Sequence, residues 1–99
     1  MKLEEVKTIG VVGGGVMGGG IAQVCAIAGY DVVVRDINSD AIEKTREAAI
    51  EGKWGIKRAV ERGKLNFDTA LLAIQRISLT VNLGDLADVE FEIEAIPEQ

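Results

Sequence analysis

Residues 11–24 read VVGGGVMGGGIAQV and place six glycines in the eight positions 13–20. Each glycine costs a helix or strand roughly 1 kcal/mol relative to alanine, so such a cluster gives up stability for a backbone that others can approach. Within it, Gly13-x-Gly15-x-x-Gly18 has the dinucleotide-binding spacing. Gly13 permits a tight turn, Gly15 lets a pyrophosphate reach the main chain, and Gly18 lets a helix lie close on a strand. Amide N–H groups in the first helical turn then hold the anion, helped by the helix dipole. Gly14, Gly19 and Gly20 exceed the fingerprint and are expected to allow still closer backbone approach.

The second part of the signature is Asp36, 18 residues after Gly18 and directly after VVVR. A carboxylate there accepts hydrogen bonds from the adenosine ribose hydroxyls. It repels a 2′-phosphate by on the order of a few kcal/mol at short range, so NAD is preferred over NADP. Arg35, its neighbour along the strand, is expected to point to the opposite face. A plain glycine turn with a solvated strand end fits the same residues. So do FAD enzymes and some methyltransferases, which share a glycine-rich first loop and an acid after the second strand.

The elements that must position these residues form a βαβ series. KTIGVV (7–12) reads as a fully buried parallel strand. Ile21, Val24, Cys25 and Ala28 fall on one helical face, and Gly29 closes that helix. DVVVRD (31–36) is a second strand; NSD (38–40) starts a helix over about 39–51, with Glu43 three residues after Asp40 as a capping box. Residues 52–63 are a broken continuation or a second helical piece, and Asn66 caps a helix at 68–74. Strands follow at 76–81 and 90–96, separated by a turn over 82–88. In the last strand Glu90, Glu92 and Glu94 alternate with Phe91 and Ile93, so one face is exposed or covered from elsewhere. The series implies an α/β fold with a parallel sheet.

Composition narrows the function class. The 99 residues suit one domain, with 47% apolar and 27% charged residues. Sixteen acids against 11 bases give a net charge of −5, and no basic cluster is present to neutralise nucleic-acid phosphates. No apolar run approaches the roughly 18 residues a membrane helix needs. The N-terminus MKLEEVK is unlike a signal peptide, and one cysteine excludes an internal disulfide, so a cytoplasmic location is expected. There is no histidine, so a mechanism needing an imidazole base cannot be completed by these residues alone.

GVVGGGVMGGGIAQVCAIAGYDVVVRDIN (10–38) closely resembles the start of 3-hydroxyacyl-CoA dehydrogenases, including 3-hydroxybutyryl-CoA dehydrogenases. GKLNFDTALLAIQRISLTVNLGDLADVEFEIEAIPEQ (63–99) continues the likeness in order; only EGKWGIKRAVER matches loosely. The resemblance implies a Rossmann-type NAD-binding domain, a parallel sheet with flanking helices, truncated after the fourth strand. It implies oxidation of the 3-hydroxyl of an acyl-CoA to a ketone, with hydride transfer to NAD. By the same resemblance Gly13, Gly15 and Gly18 form the pyrophosphate loop, with Val16 and Met17 supplying backbone N–H groups. Asp36 takes the ribose, Ile37 lies beside the adenine, and Ala95 and Glu98 line the nicotinamide half. The family continues with a serine, an asparagine, a histidine–glutamate pair and a helical domain that completes the acyl-CoA site and the dimer. The chain is therefore expected to be the NAD-binding part of a longer, homo-oligomeric enzyme. A non-catalytic nucleotide-binding or assembly module that needs a partner chain is the other class.

The remaining residues read as structural. Cys25 is expected to be a small buried hydrophobe and Trp54 to pack its loop onto the body. Lys53, Lys57, Arg58, Arg62 and Lys64 are expected to form a solvated face, and no metal-ligand spacing occurs among the acids of 85–98.

Overall fold

The computed structural model describes residues 6–13 and 15–95. Four strands make one parallel sheet in the order β3-β2-β1-β4. β1 (Thr8–Val12) lies between β2 (Asp31–Arg35) and β4 (Phe91–Glu94), and β3 (Ile77–Thr80) flanks β2. Helix α1 (Val16–Ile27) joins β1 to β2. Helices α2 (Ser39–Arg46), α3 (Ile56–Glu61) and α4 (Phe67–Arg76) join β2 to β3, and a 3₁₀ turn (Leu83–Leu86) precedes β4.

β1 is not fully buried as expected: one face of β1 and β2 carries the core, while Lys7 is exposed and Thr8, Val12 and Val33 are only half-buried. Ile9 is in register with Val32 and Val11 with Val34. These four side chains cluster with Ala22 and Ala26 of α1, Ile56 of α3, and Ala70 and Ala73 of α4. A fully buried valine contributes about 1.5–3 kcal/mol, so Val11, Val32 and Val34 anchor the sheet against the helices.

The face of α1 differs from the expected one. Val24 is 66% exposed and Ala28 is also exposed, while Gly18, Gly19, Ala22 and Ala26 are buried. Ile21 and Cys25 pack only partly against the core. The helix lies so close to its neighbours that only small residues fit beneath it: a Cβ on Gly18 would sit 2.5 Å from the Gly13 carbonyl oxygen. Close packing, rather than side-chain hydrophobicity, selects that face. Gly29 ends the helix as expected, with φ of 110°.

The second helix starts at NSD, but its cap is Asn38, whose Oδ1 accepts from the Ala41 N–H at 2.9 Å. The expected Asp40–Glu43 box does not form; Glu43 pairs instead with Arg46 at 3.5 Å on the surface. After Arg46 the backbone widens into a π turn, Glu47–Glu51, and α3 is a separate piece. Asn66 caps α4 by accepting from the Thr69 N–H at 2.8 Å. α4 begins one residue before the expected span and runs to Arg76.

The register of β4 bears out its alternation. Phe91 and Ile93 are in register with Ile9 and Val11, and Glu92 and Glu94 with Gly10 and Val12; of the two apolar residues only Ile93 packs against the core, and Phe91 is half exposed at the sheet edge. Leu86 and Val89 close over the sheet at Gly10, where a Cβ would lie 2.8 Å from Val89 Cγ2. Glu90 lies just before the strand and turns back to β1. Its Oε1 accepts from the Lys7 N–H at 3.0 Å, the Thr8 N–H at 3.2 Å and the Thr8 hydroxyl at 3.2 Å. These bonds, led by the Lys7 N–H, hold its carboxyl below the ordinary range.

Candidate nucleotide site at the strand ends

The carboxyl ends of the four strands meet along one rim. The Asp36 N–H donates to the Thr80 carbonyl at 3.1 Å, the Gly13 N–H to the Arg35 carbonyl at 2.7 Å, and the Ala95 N–H to the Val12 carbonyl at 2.9 Å. Thr80, Asp36, Gly13 and Ala95 therefore follow one another in the order of the sheet. The chain runs outward on one side of β1 through β2 and β3, then returns on its other side as β4. Open α/β sheets bind ligands at such a reversal, outside the carboxyl ends of the strands.

The glycine corner lies at this point. Gly13 has φ of 72° and Gly15 has φ of 48° and ψ of −110°, backbone conformations that favour glycine. A Cβ built on Gly15 meets nothing within 4 Å. The missing side chain thus leaves open space above the loop. Gly18 is bare for the other reason, contact with Gly13 beneath it. Positive φ at Gly13 and Gly15 and the close contact at Gly18 are the backbone features found at these three glycines.

Gly19 serves helix packing and not the loop. A Cβ on Gly19 would lie 2.6 Å from both Ala48 Cβ and the Thr45 carbonyl oxygen, so its bareness seats α1 against α2 and the π turn. Gly20 faces a shallow cavity of about 320 Å³ between α1 and the 44–54 segment. Gly14 lies outside the described residues.

Gly15 is the N-cap of α1 and provides no side-chain cap, whereas α2 and α4 are both capped by asparagine. Among the described residues, no side chain accepts from the first-turn amides of Val16 and Met17. The side chains of Val16 and Met17 are exposed, so only their main chain belongs to the corner.

Asp36 stands beside this corner and is only 7% exposed. Its Oδ2 accepts from the Gly15 N–H at 3.2 Å and its Oδ1 from the Ile37 N–H at 2.8 Å. Each carboxylate oxygen has further lone-pair capacity, which hydroxyl donors can use. Arg35 Nε donates to the Val81 carbonyl at 3.1 Å, so its guanidinium is committed to the end of β3. Ile37 is exposed next to the acid, and Ala95 is buried at the end of β4. Glu98 lies outside the described residues.

One member of this corner went unforeseen. Thr45 of α2 is fully buried, and its hydroxyl lies 3.3 Å from the Gly15 carbonyl and 3.0 Å from the Ala41 carbonyl. A mid-helix threonine is an ordinary sequence feature, and nothing local marks it as reaching a loop 30 residues away.

Trp54 also departs from expectation. Its ring is 71% exposed and lies between cations, with Arg62 at 4.8 Å and Lys53 at 5.3 Å from the ring centre. The loop is held instead by Gln23 of α1, whose amide donates to the Trp54 carbonyl at 2.8 Å and the Ala49 carbonyl at 3.3 Å. The basic residues of 53–64 are solvent-exposed as expected, and Arg58 pairs with Glu61 at 3.2 Å. Cys25 is half-buried, and burial pushes its thiol pKa up. Among the described residues no group of three metal-ligating side chains occurs, and no helix is long and apolar enough to cross a membrane.

Comparison with known proteins agrees with this geometry. The model of the 3-hydroxyacyl-CoA dehydrogenase NAD-binding domain matches residues 8–99. The 3-hydroxybutyryl-CoA dehydrogenase of Bradyrhizobium diazoefficiens is 38% identical over 94 residues, covering 95% of this chain and 31% of its own length. The fatty acid oxidation complex subunit alpha of Idiomarina loihiensis is 39% identical over 95 residues, covering 96% of this chain and 13% of its own length. The crystal structure of (S)-3-hydroxybutyryl-CoA dehydrogenase from Ralstonia eutropha superposes with a TM-score of 0.81 at 34% identity, covering 96% of this chain and 32% of that one. The chain thus spans less than a third of the length of these relatives. A glycine corner, a buried acid at the next strand end and a family match across nearly the whole chain converge: it belongs to the 3-hydroxyacyl-CoA dehydrogenase NAD-binding domain family.

Proposed function

We propose that this chain binds NAD across the rim of the sheet and acts as the cofactor-holding part of an NAD-dependent 3-hydroxyacyl-CoA dehydrogenase. The observation that carries the reading is the uncapped first turn of α1 placed beside the Asp36 carboxylate, with space left open at Gly15. Gly13, Gly15 and Gly18 shape the loop, and the amides of Val16 and Met17 hold the pyrophosphate. Asp36 takes the adenosine ribose, with Ile37 beside the adenine. Ala95, and by the family resemblance Glu98, are assigned to the nicotinamide half.

When bound, NAD supplies the hydride acceptor for oxidation of the 3-hydroxyl of an acyl-CoA. This chain's part is orientation. Fixed amide dipoles neutralise the diphosphate without reorganising, and a fixed carboxylate selects the ribose. An imidazole base for the hydroxyl proton is not among these histidine-free residues; the family resemblance assigns that role to a histidine–glutamate pair outside them. Acyl-CoA as substrate, a homo-oligomeric enzyme and a cytoplasmic location go with this reading and rest on the family.

Titration of the ¹⁵N-labelled chain with NADH tests it. Shifts concentrated at residues 13–18, 36–37 and 95 are expected. Shifts centred elsewhere, or none at millimolar NADH, would overturn the assignment.

A further inference from the structure

Among the described residues only two polar side chains are buried, Asp36 and Thr45, and both bond to the same residue. Asp36 accepts from the Gly15 N–H, and the Thr45 hydroxyl donates toward the Gly15 carbonyl. Gly15 is thereby held on both of its main-chain groups, from β2 on one side and from α2 on the other.

Thr45 needs a reason to be polar. Its side chain is 0% exposed, where valine would have nearly the same shape and no group to desolvate. Its own helix offers the nearer acceptor, the Ala41 carbonyl at 3.0 Å, and the single hydroxyl proton is shared with the Gly15 carbonyl at 3.3 Å. Gly15 does not need the bond for satisfaction, because its carbonyl already accepts from the Gly19 N–H at 2.9 Å. The bond therefore adds position, not rescue of an orphan. At the same spot the two helices are close enough that a Cβ on Gly19 would lie 2.6 Å from the Thr45 carbonyl oxygen. α2 is in this way registered against the first turn of α1.

We infer that Thr45 is a positioning residue for the dinucleotide loop. It acts through the Gly15 carbonyl to hold that residue at its φ of 48°, so that the first-turn amides of α1 stay aimed at the space above the loop. The ligand class is a diphosphate-bearing dinucleotide, and this inference rests on the cofactor reading above.

The test compares Thr45→Val and Thr45→Ser with the unaltered full chain, by NADH titration, ligand-free thermal midpoint and amide exchange at Gly15–Gly18. Thr45→Val is expected to weaken NADH about tenfold with the midpoint little changed, and Thr45→Ser to restore affinity to within about twofold. Faster exchange at Gly15–Gly18 in Thr45→Val is expected to accompany the loss. Equal NADH affinity in all three chains would overturn the inference. So would a Thr45→Ser chain as weak as Thr45→Val, since the methyl would then be the part that matters. If Thr45→Val does not fold, Thr45→Ala replaces it: a loss of affinity in Ala that Ser does not share supports the hydroxyl, and a shared loss overturns it. If the unaltered chain binds no NADH, the cofactor reading fails, and amide exchange decides the clamp alone. Unchanged exchange in the hydroxyl-free variant then overturns it, and faster exchange restored by serine supports it.

Discussion

Asp36 Oδ2 and the Gly15 N–H meet at 3.2 Å across 21 residues of sequence. The acid proposed to select the ribose is thus tied to the loop proposed to hold the diphosphate. Asp36→Asn keeps the shape but removes the charge and one acceptor. The fold is expected to persist with a loss of about 1–2 kcal/mol. NADH affinity should fall about tenfold while NADPH affinity changes little, narrowing the preference between them. Calorimetric titration with both cofactors checks this; a preference that does not move would remove Asp36 from the ribose.

Two adjacent glycines of α1 should respond in opposite directions. Gly19→Ala drives a methyl to within 2.6 Å of Ala48 and of the Thr45 carbonyl, and helix-on-helix contact leaves little room to yield. A loss of about 1–3 kcal/mol is expected. Gly20→Ala meets nothing within 4 Å, so the better helix former should gain about 0.5–1 kcal/mol. Urea midpoints of the two variants provide the comparison, and a gain at Gly19 would contradict the packing described for α1.

Glu90 should give the fold an acid-sensitive clamp. Hydrogen bonds from the Lys7 N–H, and then from Thr8, favour its charged form and lower its pKa from the ordinary value of about 4.3. A carboxyl with a lowered folded-state pKa contributes stability above its unfolded-state value, and that contribution disappears as pH falls through the folded-state value. Glu90→Gln should therefore lower the thermal midpoint at neutral pH and flatten its decline below about pH 4. An identical acid limb in both chains would exclude Glu90 as a source.

Asn66 is the cap of α4, the helix that leads directly into β3. Asn66→Ala should cost about 1 kcal/mol, and Asn66→Asp almost nothing, because aspartate accepts the same Thr69 N–H. Chemical denaturation of the two variants distinguishes a cap from a mere surface position, where both would be neutral.

Much of the corner was legible because its determinants are local. A short apolar run, three glycines at fixed spacing and an acid after the next strand each act through nearby backbone, and they recur at Thr8–Val12, Gly13–Gly18 and Asp36. Hydrophobic periodicity misled at α1, where it chose Val24 and Ala28. It scores side-chain character, but that interface is decided by how near two backbones come, and the residues that face it, Gly18, Gly19, Ala22 and Ala26, are all small. Trp54 misled for another reason: Gln23 anchors its loop through the Trp54 and Ala49 carbonyls, which no residue pattern reveals, and the ring is left exposed at the edge of the cavity beside α1.

The sequence by itself determined that strand, glycine turn and helix succeed one another here, and that a carboxylate follows at the end of the next strand, because these depend on φ preferences and short-range spacing. Only the tertiary structure decided that β4 returns beside β1 to put Ala95 on the rim, that Thr45 reaches Gly15, and that Glu90 ties off the start of β1. Those outcomes join residues 30 to 83 positions apart, and such pairings are set by which surfaces pack closest once the sheet has formed.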